Sequence, residues 1–474
     1  MTTTVTKENR MRCTSTPSRL LVFGALALAL SACNANNGFG PAQMAPSQLQ
    51  APPAGYVTPH RVRRASSSGK IQHVIVVVQE NRSFNNLFED YPRATTASFG
   101  YDSNNNKIDL VPIPLETTWD LEHDSYGFET ACNGTGSIPG TDCRMNGFNN
   151  EYTGCYGTSC PYAHPQYGYV PHSEIKPYWT MAKQYVLADE MFASNFDASS
   201  FISHQYIISG QAEQAVNYPG GPWGCPGGSG DFISKVGGQR QVPDGYEVVC
   251  WDPTTLGDEL DNAGISWGFY AASYSNNPWL WSAYQAIKHI YYGKDWSKDV
   301  FSPPSQFLSD VADGKLRTVT WVTPTWTNSD HAGSGSNTGP SWVAQVVNAV
   351  GNSQYWDSSA IVIMWDDYGG WYDPVAPAYV DFDGLGMRIP MLIVSPYAKK
   401  GKVVHTHYEH GSILKFIEDQ FGLGRLAASD KRANSIADAF NFKQNPRPFK
   451  EIPTVYSRYF FLHQPPDHHM PDDN

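Results

Sequence analysis

Glu80-Asn81 and Asp366-Asp367 each follow a long apolar run. The first run is Ile71-Gln72-His73-Val74-Ile75-Val76-Val77-Val78-Gln79, the second Ser359-Ala360-Ile361-Val362-Ile363-Met364-Trp365. A single acid at a strand end is commonly a turn residue or a helix cap. Two such ends, one with adjacent acids and a Gly369-Gly370 pair that lets backbone approach closely, favour a shared task. Hard divalent cations take carboxylate and amide oxygens, so Glu80, Asn81, Asp366 and Asp367 are predicted to hold one divalent ion. A hydroxyl near such an ion loses its proton more easily and can attack phosphorus. The segment from Phe192 to Tyr206 offers Ser194, Ser199, Ser200 and Ser203; composition alone makes each an ordinary serine. Acid–base groups come from Leu121-Glu122-His123-Asp124 and Asn328-Ser329-Asp330-His331. Each histidine has an acid beside it in sequence, which can fix its tautomer or raise its basicity.

Such residues need a frame. The two β-branched runs read as strands buried on both faces. Thr318–Val322 and Met391–Ser395 follow the same style, and Ser266–Ala271 is a weaker candidate. Ser341–Val350 has helical apolar spacing. Ser412–Phe421 places Ile413, Phe416, Ile417 and Gln420 on one helical face, with Gly422 as its C-cap. Buried strands alternating with helices predict a mostly parallel sheet covered on both faces, with ligands beyond the carboxyl ends of the strands. Residues 125–255, rich in Gly, Pro, Cys and Tyr, read as loop-rich insertions hung on that sheet.

The chain has 474 residues and a formal net charge of −12, with 41% apolar and 16% charged residues. It can bury a large core, and without a Lys/Arg run it offers no nucleic-acid surface. Arg10, Arg12 and Arg19 precede the apolar stretch Leu20–Leu30, too short to span a bilayer and sized like a signal-peptide core. It ends in Leu30-Ser31-Ala32-Cys33, which resembles a bacterial lipobox. Residues 1–32 are therefore expected to be a lipoprotein signal peptide, with Cys33 lipidated. Residues 33–70 would be a flexible tether, 71–463 the catalytic domain and 464–474 a disordered tail. The protein is expected to be exported and anchored in the cell envelope. Of the cysteines beyond Cys33, local pairing predicts Cys132–Cys143, Cys155–Cys160 and Cys225–Cys250 as disulfides.

The pattern resembles the bacterial phosphoesterase family of nonspecific phospholipases C and a related acid phosphatase branch, within the alkaline-phosphatase-like superfamily. Ile71–Phe84 resembles its opening strand and Glu-Asn-Arg-Ser-Phe motif, and Asn146-Gly147-Phe148 its Gly-rich region. Asp330-His331 matches its Asp-His pair, Ile361–Asp373 its second metal segment and His410–Phe421 its closing helix. Counting back from Ser209-Gly210 puts Ser200 at the nucleophile position. The resemblance implies a three-layer α/β/α sandwich and metal-dependent phosphoester hydrolysis through a phosphoserine. Glu80, Asn81, Ser200, Asp366 and Asp367 would hold the metal; His123, Asp330 and His331 would face the phosphoryl or leaving group. The substrate would be a phospholipid or a small phosphomonoester. The chain departs from the family at Ile202-Ser203-His204, where Pro-Asn-Arg is usual, at Asn85 and at Pro374. The rival readings are an inactive lipid-anchored binding protein on the same scaffold and a sulfatase. The filled metal and nucleophile set opposes the first, and the lack of a Cys/Ser-x-Pro-x-Arg context opposes the second.

Overall fold

The computed structural model describes residues 69–155, 160–274 and 277–470. The expected leader, Cys33 and nearly all of the expected tether lie outside the described residues. Among the described residues, nine strands form the main sheet. In chain order they are β1 (His73–Gln79), β2 (Val186–Phe192), β3 (Trp267–Tyr270), β4 (Val300–Phe301), β5 (Val319–Val322), β6 (Ser359–Trp365), β7 (Arg388–Val394), β8 (Lys402–Val404) and β9 (Tyr408–Glu409). Across the sheet the order is β4-β3-β5-β1-β6-β7-β2-β8, with β9 also on β2. Val74 to Val78 are completely buried, as a β-branched run at the centre of a two-sided sheet must be. β1 pairs with β6 in parallel register from His73↔Ser359 to Gln79↔Trp365. The acids that follow both strands therefore emerge side by side.

Only β7 runs against its neighbours. Its first residue, Arg388, thus lies level with the carboxyl end of β2, opposite Phe192. There its guanidinium grips Asp373 at 3.0 Å, both side chains fully buried. Asp373 also accepts the Asn85 N–H. The acid after the Gly-Gly turn is therefore a tie between loop and strand.

Helices α1 (Lys176–Gln184), α2 (Ser200–Ser209), α3 (Gly339–Gly351) and α4 (His410–Phe421) cover the sheet. α2 packs on α4, and α1 on α3. α4 ends at Gly422, whose φ of 72° is the left-handed cap expected there. Among the described residues no helix is long and apolar enough to cross a membrane.

Residues 125–255 are more than loops. They hold α1, α2 and the internal strand β2, besides a small sheet of Ala215–Val216, Phe232–Lys235 and Tyr246–Val248. β2 reads poorly as a strand because Asp189 and Glu190 interrupt its apolar run. Asp189 is buried all the same, accepting from Thr95 N–H and pairing with His405. The three expected disulfides are present, with Cα separations of 4.6, 4.7 and 4.6 Å. The expected tail lies in part against the fold: Asn328 Nδ2 donates to Gln464 Oε1 at 2.8 Å, and the His469 ring stacks on Trp326.

Candidate functional site

Beyond β1 the backbone turns at Asn81, whose φ of 61° is left-handed, a conformation Asn adopts more readily than most residues. The turn aims the Asn81 N–H at Asp366 Oδ1, 2.9 Å away, and so ties the ends of β1 and β6 together. The Asn81 side chain reaches two further groups. Nδ2 donates to His123 Nε2 at 2.7 Å, and Oδ1 lies 3.3 Å from Ser200 Oγ. Ser200 Oγ is also 3.3 Å from Asp367 Oδ2. Glu80, Asn81, Ser200, Asp366 and Asp367 are all fully buried.

Ser200 is the first residue of α2, and among the described residues no side chain caps that helix. Its first-turn N–H groups therefore face the site without a side-chain acceptor, the condition in which a helix start attracts anions. Asp197 shapes the approach. It accepts from Ser199 Oγ at 3.2 Å and Asn217 N–H at 2.6 Å, and burial pushes its pKa up to about 7.

One turn into α2, His204 Nε2 sits 3.0 Å from Glu80 Oε1 and 3.8 Å from Asp366 Oδ2. His410, the first residue of α4, is buried beside Asp366 and His204. Burial pulls His204 down to about 4 and His410 to about 3, so both rings are neutral near pH 7. The Glu80–His204 contact is then a hydrogen bond rather than an ion pair. Burial and the charge of Asp366 push Asp367 well above the usual carboxylate range. Burial also acts on Asp366, but contact with the Glu80 carboxyl and with His204 outweighs it and holds this group lower. Adjacent buried carboxylates cannot all ionise unless a positive charge joins them. Asp366 Oδ2 is buried without a hydrogen-bond donor, and among the described residues neither Asp366 nor Asp367 has a lysine or arginine ion pair. This donor set fits a divalent cation.

A second group borders the first. Ligand-type atoms of Asp120, His123 and His331 lie within 4.8 Å of one another. His123 Nδ1 donates to the Leu121 carbonyl at 2.7 Å, which leaves Nε2 as the acceptor that Asn81 uses. His331 Nδ1 donates to the Ala332 carbonyl and lies 3.9 Å from Asp120 Oδ2. Its ring packs at a tilt against Trp326, centroids 4.5 Å apart.

The acids next to these histidines in sequence do other work. Glu122 accepts the Tyr152 N–H, and Asp124 caps the helix Ser125–Cys132. Asp330, expected at the phosphoryl group, is turned away at φ 72°. Its Oδ2 accepts the Tyr178 hydroxyl at 2.6 Å and its carbonyl accepts Arg82 Nε at 2.8 Å. The structure thus gathers Glu80, Asn81, Ser200, Asp366, Asp367 and His123 in one network, sets His331 beside His123 and leaves the Asp330 carboxyl outside. His204, His410 and Asp120 were not singled out from sequence. For His204 a signal existed: it lies four residues after Ser200, hence on the same helical face.

The chain is 26% identical to the non-hemolytic phospholipase C of Pseudomonas aeruginosa, over 86% of this chain and 62% of that one. It is 23% identical to phospholipase C A of Mycobacterium tuberculosis, over 79% and 78% respectively. A solved protein of the alkaline phosphatase superfamily from Vibrio parahaemolyticus is 10% identical at TM-score 0.34, over 78% of this chain and 69% of that one. The chain thus spans under two thirds of the length of the Pseudomonas relative. A model of the Phosphoesterase family matches residues 71–424, which include every member of both side-chain groups. The chain belongs to the Phosphoesterase family.

Proposed function

We propose that this chain hydrolyses phosphoesters, with phospholipids as substrate and Ser200 as nucleophile. The observation that carries the reading is the Ser200 hydroxyl, buried at an uncapped helix start and in contact with Asn81 and Asp367. The phospholipid choice rests on the relatives named phospholipase C. Glu80, Asn81, Asp366, Asp367 and Ser200 are the residues that would hold a divalent ion. Such an ion supplies positive charge that favours ionised serine and neutralises phosphoryl oxygens.

Ser200 Oγ attacks phosphorus in line while Asp367 Oδ2 is placed to take its proton. The first-turn N–H groups of α2 receive the phosphoryl oxygens. His331, as imidazolium with its Nδ1 proton on the Ala332 carbonyl, gives its Nε2 proton to the leaving alcohol. His123 holds Asn81 in place. Water then cleaves the phosphoserine ester, passing a proton back to His331 Nε2, while Asp367 returns its proton to Ser200. Three disulfides suit a chain that folds in an oxidising compartment, and acylation of Cys33 would keep it at a membrane surface.

The test is a panel of p-nitrophenyl phosphate, p-nitrophenylphosphorylcholine and phosphatidylcholine, each with and without chelator. The expected result is chelator-sensitive release of diacylglycerol from phosphatidylcholine. Turnover of the monoester alone would reassign the substrate to small phosphomonoesters, and no turnover of any would leave the inactive binding protein.

A further inference from the structure

We infer that His204 is a nitrogen ligand to the cation of this site, and that it makes the site select a borderline transition ion of the Zn2+ class over Mg2+ or Ca2+. The inference rests on the metal-dependent reading above. Three observations carry it. First, a single nitrogen, His204 Nε2, faces two carboxylates at once, Glu80 Oε1 at 3.0 Å and Asp366 Oδ2 at 3.8 Å. Ligands about 2.0–2.3 Å from one ion are roughly 2.8–3.8 Å apart, from the cis positions of an octahedron to the corners of a tetrahedron, so both gaps suit donors to a common centre. Second, all three side chains are buried, and Asp366 Oδ2 accepts no hydrogen bond among the described residues. An ordinary structural histidine explains the Glu80 contact but leaves that oxygen unsatisfied, at real cost in a dry interior. Third, His204 shares its helix face with Ser200, so one helix delivers both the nucleophile and the nitrogen.

The chemistry sets the selectivity. Mg2+ and Ca2+ take oxygen donors, and an imidazole adds little for them. Zn2+ and its neighbours bind imidazole nitrogen with carboxylate oxygen readily. In the hydrogen bond to Glu80 the ring proton sits on Nε2. Binding needs a lone pair there, so the proton moves to Nδ1 and the ring stays neutral.

The experiment uses the full chain, stripped with chelator and dialysed against Zn2+, Mn2+, Mg2+ and Ca2+ separately, with bound metal counted by mass spectrometry. His204→Gln keeps a side-chain N–H for Glu80 but offers a poor ligand, and His204→Ala removes both. Melting of the metal-free proteins checks that each variant folds. The wild type is expected to retain Zn2+ against excess Mg2+. Both variants should lose Zn2+ affinity by about a hundredfold or more, with Mg2+ affinity nearly unchanged. Zinc-edge X-ray absorption should show one imidazole fewer. Unchanged Zn2+ affinity in folded variants would overturn the assignment of His204 and leave the metal reading intact. A wild type that holds no divalent ion and hydrolyses substrate in chelator would overturn both.

Discussion

Glu80, His204 and Asp366 stand on strand ends and a helix, whereas Asp120, His123 and His331 stand on loops. The first set is sealed, with every member buried; in the second, Asp120 keeps 13% of its side chain exposed. The first set is oriented by strand register and by α2. The second is oriented by backbone carbonyls, those of Leu121 and Ala332, which fix each ring through Nδ1. A sealed set on regular elements suits a group that stays bound. A loop-held set near solvent suits groups that meet substrate and product as they pass. Ser200 lies between the two, joined to Asp367 directly and to His123 through Asn81.

The sharpest way to break this division is at Ser200. Ser200→Ala should lower turnover roughly a thousandfold or more, since loss of an activated nucleophile costs several powers of ten in rate. Ser199→Ala removes only a hydrogen bond to Asp197 and the Asn217 carbonyl, and should stay within about tenfold. Steady-state kinetics on folded variants decides, and near-normal turnover by Ser200→Ala would refute the covalent step. On the loop-held side, His331→Gln should cost about a hundredfold with phosphatidylcholine, whose leaving alcohol needs a proton. With p-nitrophenyl substrates, whose leaving group departs unaided, the loss should be less than about tenfold. An equal loss on both would place His331 elsewhere in the mechanism. His123→Ala is the milder case. It leaves the Asn81 amide without its acceptor, and kcat should drop by roughly tenfold through looser placement of Asn81.

The same division governs what the sequence revealed. β1 and β6 were legible because short runs rich in β-branched residues suit strands buried on both faces, and the acids that end them had to meet if the strands were neighbours. β2 was not legible, since Asp189 and Glu190 break its run and their partners His405 and His407 lie far along the chain. The reversed direction of β7 left no local trace either: direction depends on how the connections before and after it run. On the loop side, adjacency misled. Glu122 and Asp330 neighbour His123 and His331 in sequence, yet backbone carbonyls hold those rings, and the acid near His331 is Asp120. Two residues next to each other in a loop point where the turn sends them, so pairing there is set by tertiary structure alone.

Asp330 gives the smallest effect on turnover and the cleanest test of that lesson. The residue is 2% exposed, and burial lifts its pKa from 3.8 to about 6 in the folded chain, with Tyr178 and Arg82 only partly opposing the rise. Between those two pH values the native state binds the proton that the unfolded chain releases. Stability from this group is therefore complete below about pH 4 and is lost as pH rises through about 6. Asparagine stays neutral at every pH and still offers an oxygen to the Tyr178 hydroxyl. Asp330→Asn should thus compare more favourably with the wild type at pH 7 than at pH 4, read as the difference in denaturant midpoint at each pH. Turnover should remain within a few-fold, because the carboxyl faces Tyr178 rather than Ser200. If the midpoint difference were the same at both pH values, Asp330 would not carry the proton assigned to it. If turnover fell a hundredfold without loss of fold, its carboxyl would belong with His331 after all.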